Sequence, residues 1–189
     1  MRKKKRFFAC AILMIMVSLL CQTTFAYFTA SVTVENTITT GGIDVELHQK
    51  TSDGKNVSNL DGIMPGAAVS RIVTVENKQD DAYVRVKVDV TVYDKEGKEM
   101  NLSEAELNKL LSIDYNTENW TKKDGLWYYN APMTKGAVTE PLCTQILMAA
   151  ESMTNEYQFI TVSLSIQAQA TQVANNGTNS LDAAGWPEF

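Results

Sequence analysis

Residues that commonly catalyse reactions or bind metals are scarce in this chain. Its 189 residues include one histidine, His48, and three cysteines. Zinc sites use mainly histidine, cysteine and carboxylate ligands, and a nucleophilic triad needs a histidine beside its serine or cysteine. The sequence contains no HExxH motif, no CxxC pair and no GxSxG elbow. His48 lies on the polar side of the strand-like segment "IDVELHQ" and is interpreted as an ordinary polar strand residue, so we expect no catalytic residue, no metal and no other cofactor.

The last cysteine of the chain is interpreted as part of the core. Cys10 and Cys21 lie in the N-terminal leader described below, which leaves Cys143 without an internal disulfide partner. Cys143 falls in the apolar stretch 142–148, where a buried cysteine behaves as a small hydrophobe. A reactive thiol and an intermolecular disulfide are the alternatives.

Aromatic residues offer a second possible type of site. Trp120, Trp127, Tyr128 and Tyr129 flank Asp124-Gly125, a dipeptide favoured in tight hairpin turns. Their rings could stack on a sugar or a peptide, and we name them as a possible ligand surface. Packing across a hairpin is the alternative interpretation, since aromatic side chains bury large areas and pair across strands.

The first 26 residues have the organisation of a secretory signal peptide. Five basic residues precede an uncharged apolar run from Phe7 to Leu20, and small and polar residues follow up to Ala26. The apolar run is shorter than the ~20 residues of a membrane-spanning helix, so we expect a signal peptidase to cleave near Ala26. A retained anchor and a lipoprotein modified at Cys21 are the alternatives. The protein is therefore expected to be secreted, without a permanent membrane anchor.

The mature chain is strongly acidic. The full chain has 17 basic and 22 acidic residues, and the leader removes five of the basic ones, which leaves 12 against 22 and a formal charge of −10. Binding to phosphates needs clustered lysine and arginine, so nucleic acid is not expected as a partner. The carboxylates lack the spacing of an EF-hand loop, and we interpret them as solvated groups rather than as a calcium site or a glycosidase pair.

The mature chain begins with a regularly alternating segment, residues 27–40. The apolar residues Phe28, Ala30, Val32, Val34 and Ile38 fall on one side of the segment and polar residues on the other, and only Asn36 interrupts the apolar row. Successive side chains of a strand point to opposite faces, so this pattern predicts a strand with one buried face. The strand can pair within its own domain or be donated to a neighbouring copy, and we name these five residues as a possible polymerisation strand.

Further alternating segments predict an all-β domain over residues 41–174. The two longest, 83–93 and 160–170, should form its centre. Strands without the strand–helix alternation of parallel sheets indicate a two-sheet antiparallel β-sandwich with one short connecting helix.

The connecting helix and the end of the chain can also be placed. A helix is predicted from Glu104 to Leu111, because Ser103 and Glu106 have the spacing of a capping box. Residues 175–189 are interpreted as a polar C-terminal tail that can dock on the domain or remain free.

Three passages resemble one family of exported Gram-positive proteins. They are "AYFTASVTVENTITTGGIDVEL", "GIMPGAAVSRIVTVENKQDDAYVRVKVDV", and "GLWYYNAPMTKGAVTEPLCTQI" with "FITVSLSIQAQATQVANNG". In these passages the chain is similar to the family that contains the biofilm matrix protein TasA and camelysin, whose leaders are cut by a dedicated signal peptidase of the SipW type. The shared features are strands and turns rather than catalytic residues.

The resemblance implies a jelly-roll-like sandwich and a role in extracellular filaments of the biofilm matrix or the cell surface. In such filaments the N-terminal strand of one subunit completes the sheet of the next, and the partner is a second copy or a related matrix protein. Camelysin-like relatives are described as peptidases, so a secreted peptidase is one alternative. A monomeric surface adhesin that binds its ligand through the aromatic hairpin is another.

Overall fold

The computed structural model describes residues 28–34, 44–55, 60–63, 66–149 and 160–189, the first and third of these as backbone only. The described residues form ten strands and one helix. In chain order they are β1 (Phe28–Val34), β2 (Val45–Lys50), β3 (Leu60–Ile63), β4 (Ala68–Asn77), β5 (Ala82–Tyr93), α1 (Glu104–Leu110), β6 (Leu111–Ile113), β7 (Trp120–Lys123), β8 (Leu126–Tyr129), β9 (Cys143–Met148) and β10 (Thr161–Gln172).

The strands form two sheets that share one core. The large sheet has six strands in the order β3-β1-β10-β5-β8-β7, and the small sheet has four in the order β2-β4-β9-β6. The predicted all-β, two-sheet sandwich is confirmed. Neighbouring described strands run antiparallel with one exception, because β1 lies parallel to β10.

The two longest strands form the centre of the large sheet, as their alternation predicts. β5 and β10 pair without interruption from Ala82 opposite Gln172 to Tyr93 opposite Thr161. Most of their inward side chains are buried, because every second residue is apolar and faces the small sheet, and Val88 and Val90 of β5 are partly buried. Among the most buried are Val84, Val86, Leu164 and Ile166.

The helix and the hairpin follow the local signals in the sequence. Ser103 Oγ accepts a hydrogen bond from the Glu106 amide at 3.3 Å, and Glu106 Oε2 accepts one from the Ser103 amide at 2.8 Å. This capping box starts α1, which ends one residue before the predicted Leu111. Asp124 and Gly125 both have positive φ, 51° and 79°, as a two-residue type I′ hairpin turn requires. No helix in the described part of the chain is long and apolar enough to cross a membrane.

The C-terminal tail docks on the outer face of the large sheet. The guanidinium of Arg85 lies 4.7 Å from the ring centre of Trp186 and 5.1 Å from that of Phe189. Arg85 Nη2 also donates a hydrogen bond of 2.7 Å to the carbonyl oxygen of Pro187. Further along, Thr171 Oγ1 donates one of 2.9 Å to the carbonyl oxygen of Ala184. The tail therefore covers the polar face of β5 and β10, which an uncovered sandwich would expose to water.

Candidate functional site

Strand β1 is the first candidate site, because its backbone pairs along both edges. Residues 29–34 pair with residues 161–166 of β10, and the other edge pairs with β3. Of the predicted polymerisation residues, Ile38 lies outside the described residues, and those within β1 are Phe28, Ala30, Val32 and Val34. In the single chain β1 completes the chain's own large sheet, which is one of the two arrangements that the alternation allows.

A cluster on the small sheet is the second candidate site. In the pairing of β2 with β4, Glu46 lies directly opposite Glu76 and His48 lies opposite Thr74. Residues i and i+2 of a strand share a face, so Glu46 and His48 project on the same side. The inward side chains of β2 are buried ones such as Leu47, which leaves Glu46, His48 and Glu76 on the outer face. We call these three residues, with Lys78, the Glu-His cluster.

Ion pairs and hydrogen bonds connect all members of the Glu-His cluster. His48 Nε2 lies 3.0 Å from Glu76 Oε2, and His48 Nδ1 lies 3.8 Å from Glu46 Oε1. Lys78 Nζ lies 2.9 Å from Glu46 Oε2 and 2.7 Å from Glu76 Oε1. Its ammonium group lowers the pKa of both carboxyl groups below the ordinary range, while Glu76 and then Glu46 raise the pKa of Lys78. Complementary charge therefore holds Lys78 to the two carboxylates, and His48 joins the group through its ring nitrogens.

The donor set of the Glu-His cluster is also suited to a metal ion. One ligand atom each from Glu46, His48 and Glu76 can be chosen so that the three lie within 4.8 Å of one another. Imidazole nitrogen and carboxylate oxygen are both common zinc ligands. Sequence reasoning considered His48 alone and missed this group, because Glu76 becomes its neighbour only through the register of β2 and β4. The sequence did contain a signal for this group, because β2 and β4 each have a glutamate at an outward position, Glu46 and Glu76.

A buried polar pair lies on the inner face of the same sheet. Arg71 is 1% exposed, and its Nη1 donates a hydrogen bond of 2.8 Å to Gln49 Oε1. Burial lowers the pKa of Arg71 to about 10. Arg71 Nε and Gln49 Nε2 have no hydrogen-bond partner among the described residues. A buried charge of this kind reduces stability, since its lost hydration is only partly replaced.

The thiol of Cys143 is unsuited to nucleophilic chemistry. Its side chain is buried, and its Sγ donates to the carbonyl oxygen of Arg71 at 3.6 Å. Burial raises the pKa of the thiol to about 12, so it is protonated at neutral pH. These properties match those of a small core residue, as the sequence suggested.

The aromatic residues of the hairpin belong mostly to the interior. Trp120 and Trp127 are 1% and 5% exposed, and Trp120 Nε1 donates a hydrogen bond of 3.0 Å to the carbonyl oxygen of Glu140. Tyr128 is covered by the tail, where its ring meets that of Trp186 edge-on at 5.8 Å. Tyr129 is partly exposed. Burial of these rings follows the packing interpretation and leaves little aromatic surface for a stacking ligand.

Comparison with known proteins gives one family. A family model described as camelysin metallo-endopeptidase matches residues 2–131. The matched range includes residues 2–26 of the predicted leader, β1 and the whole Glu-His cluster, and it ends just after the aromatic hairpin. No curated protein and no solved structure matches the chain at a significant level.

Proposed function

Since the chain belongs to the camelysin metallo-endopeptidase family, we propose that it is an exported structural subunit that assembles into extracellular filaments by donating β1 to the next copy. A signal peptidase would first remove residues 1–26, and the subunit would then act in the biofilm matrix or on the surface of a Gram-positive cell. The position of β1 carries the proposal. It is the first described strand, and both of its edges pair with strands that come later in the chain.

A terminal strand is the easiest element to exchange between copies. Once the leader is removed, β1 is joined to the rest of the domain only through residues 35–44, which lead to β2. Ten extended residues span at most ~33–36 Å, enough to reach from one small domain to a neighbour in contact with it. Because each copy would give its strand to the next and receive one from the previous copy, the contact does not close on itself and produces a fibre.

Withdrawal of β1 would create a strong binding site on the domain that loses it. The edge of β10 over residues 161–166 would become unpaired in the middle of the large sheet, and β3 would lose its only described sheet partner. An open edge of this length is a template for another strand. The identical β1 of a second copy satisfies the same backbone groups in the same register, so exchange costs little once copies are concentrated.

We expect polymerisation to depend on the N-terminal strand. Protein that starts at Tyr27 should form fibres visible by electron microscopy and elute early in size-exclusion chromatography. Protein that starts at Thr40 should give no fibres, because it has a strand site but no strand to donate. A peptide of residues 27–39 added to the short form should bind it with a stoichiometry of one and keep it monomeric.

The matched control for this experiment alters the other end of the chain. Protein from Tyr27 to Gln172 lacks the tail, which does not pair with β1, and it should still form fibres. Fibres from the form that starts at Thr40 would show that another surface drives assembly. If all forms were monomeric and the peptide did not bind the form that starts at Thr40, β1 would be an ordinary first strand of its own domain.

A metal-dependent peptidase is the second candidate function. It is favoured by the description of the family and by a shallow groove of about 330 Å³ that shares the outer face of the small sheet, lined by Ser52, Ala68, Ser70, Ile72, Thr144 and Gln145. In metallopeptidases with the HExxH motif, a glutamate that is not a metal ligand acts as the general base. The described Asp, Glu, His and Cys side chains add no fourth member to Glu46, His48 and Glu76.

We therefore expect the pure mature protein to be inactive as a peptidase. Incubated with casein and zinc, it should release no peptides above the level of the His48→Gln variant. Hydrolysis that disappears both with a chelator and in His48→Gln would contradict the structural proposal and favour the peptidase. Hydrolysis that survives the substitution would indicate a contaminating enzyme.

A further inference from the structure

We propose that the Glu-His cluster is a binding site for one divalent metal ion of the zinc class, and that the ammonium group of Lys78 competes with the metal for it. The inference is independent of filament assembly. It concerns the metal that the family description implies, and it rests on the donor atoms that the structure brings together.

The geometry of the three donors requires little adjustment. Around a zinc ion with ligand distances of about 2.0–2.2 Å, tetrahedral ligands lie roughly 3.3–3.6 Å from one another. His48 Nε2 and Glu76 Oε2 are 3.0 Å apart, and all three donors fit within 4.8 Å. Small side-chain rotations would reach the required separations, while the paired strands β2 and β4 keep the backbone fixed.

The charge of the cluster favours a cation at this point. The carboxylates of Glu46 and Glu76 face each other across the strand pair. They would repel each other if no cation lay between them. The structure holds the ammonium of Lys78 within 2.9 Å of one and 2.7 Å of the other. A divalent ion would deliver twice that charge to the same oxygens and would also use the imidazole nitrogen, which an ammonium group engages poorly. Lys78 is one-third exposed, so it can swing into solvent when it is displaced.

Competition of this kind has a consequence that a merely structural cluster would not show. Removal of the ammonium frees the two carboxylates, so Lys78→Met should bind metal more tightly than the natural protein. In the natural protein the metal must first open the two partly exposed ion pairs of Lys78 with Glu46 and Glu76. Because Lys78→Met lacks these ion pairs, its affinity for the metal should be about 2- to 30-fold higher. A gain of affinity cannot arise from misfolding.

Isothermal titration calorimetry with zinc, together with the visible absorption of bound cobalt, tests the proposal on the mature chain. The natural protein should bind one ion, with cobalt bands typical of tetrahedral nitrogen and oxygen ligands. Glu76→Gln and His48→Gln should bind at least tenfold more weakly, with unchanged circular dichroism. Asp89→Asn, which removes an exposed ion pair with Lys87 on the other sheet, is the matched control and should bind like the natural protein.

Each remaining outcome would overturn the proposal. Absence of saturable binding by both the natural protein and Lys78→Met would show that the cluster holds only its own lysine. Equal binding by the natural protein, Glu76→Gln and His48→Gln would place the metal elsewhere. Weaker metal binding by Lys78→Met would show that Lys78 supports metal binding rather than competing with the metal.

Discussion

Replacement of Trp127 by alanine should lower the free energy of unfolding by about 3–5 kcal/mol, the range measured for large aromatic residues removed from protein cores. The side chain is 5% exposed, and its ring stacks on that of Tyr115 with the centres 4.3 Å apart. Truncation would remove this contact and leave a cavity between the hairpin and the segment after β6. Since small domains have total stabilities of about 5–15 kcal/mol, the loss should be visible directly in a urea unfolding curve.

The same substitution distinguishes packing from ligand binding. If Trp127 served a ligand, its replacement would weaken binding while the unfolding midpoint stayed unchanged. Phe189→Ala is a suitable control, because that ring is 45% exposed and should cost less than about 1 kcal/mol. An unfolding curve for Trp127→Ala that coincides with that of the natural protein would contradict the packing that the structure describes.

The long strands could be predicted from the sequence because their signal is local. Valine alternates with polar residues in β5, and apolar residues alternate with serine and glutamine in β10. This alternation predicts which face of each strand is buried. The capping box of α1 and the Asp124-Gly125 turn are likewise contained within a few neighbouring residues. Each of these features depends only on residues that are close together in the sequence, so a single sequence is enough to predict it.

The pairing partners could not be predicted in the same way. That β1 lies parallel to β10 depends on residues more than a hundred positions apart, and alternation is the same for either direction of pairing. Docking of the tail depends on Arg85, which an outward position of β5 presents to Trp186 and Pro187. An arginine in a strand gives no indication of such a partner.

The Glu-His cluster illustrates the same limit at the level of a site. Glu46 and His48 share a face by simple periodicity, but Glu76 joins them only in the observed register of β2 with β4. A shift of that register by one residue would turn Glu76 inward and leave the histidine without its closest partner. The cluster is therefore a property of the fold rather than of a motif.

Donation of β1 can be tested most directly by a disulfide across its seam with β10. Thr33 and Ser165 are paired positions of the two strands, and neighbouring strands lie ~4.8 Å apart, within the ~4.4–6.8 Å that a disulfide spans between Cα atoms. In the mature double variant Thr33→Cys/Ser165→Cys the only other cysteine is the buried Cys143. The variant would be assembled under reducing conditions, oxidised in place and separated by denaturing electrophoresis without reductant.

Strand donation predicts a ladder of covalently linked copies, since the cysteine introduced into β1 of each copy would then lie beside the cysteine introduced into β10 of the next. Neither single variant should give this ladder, and reductant should return it to monomer. Fully oxidised protein that migrates only as monomer, from a sample that contains fibres, would show that β1 stays in its own domain and would contradict the account.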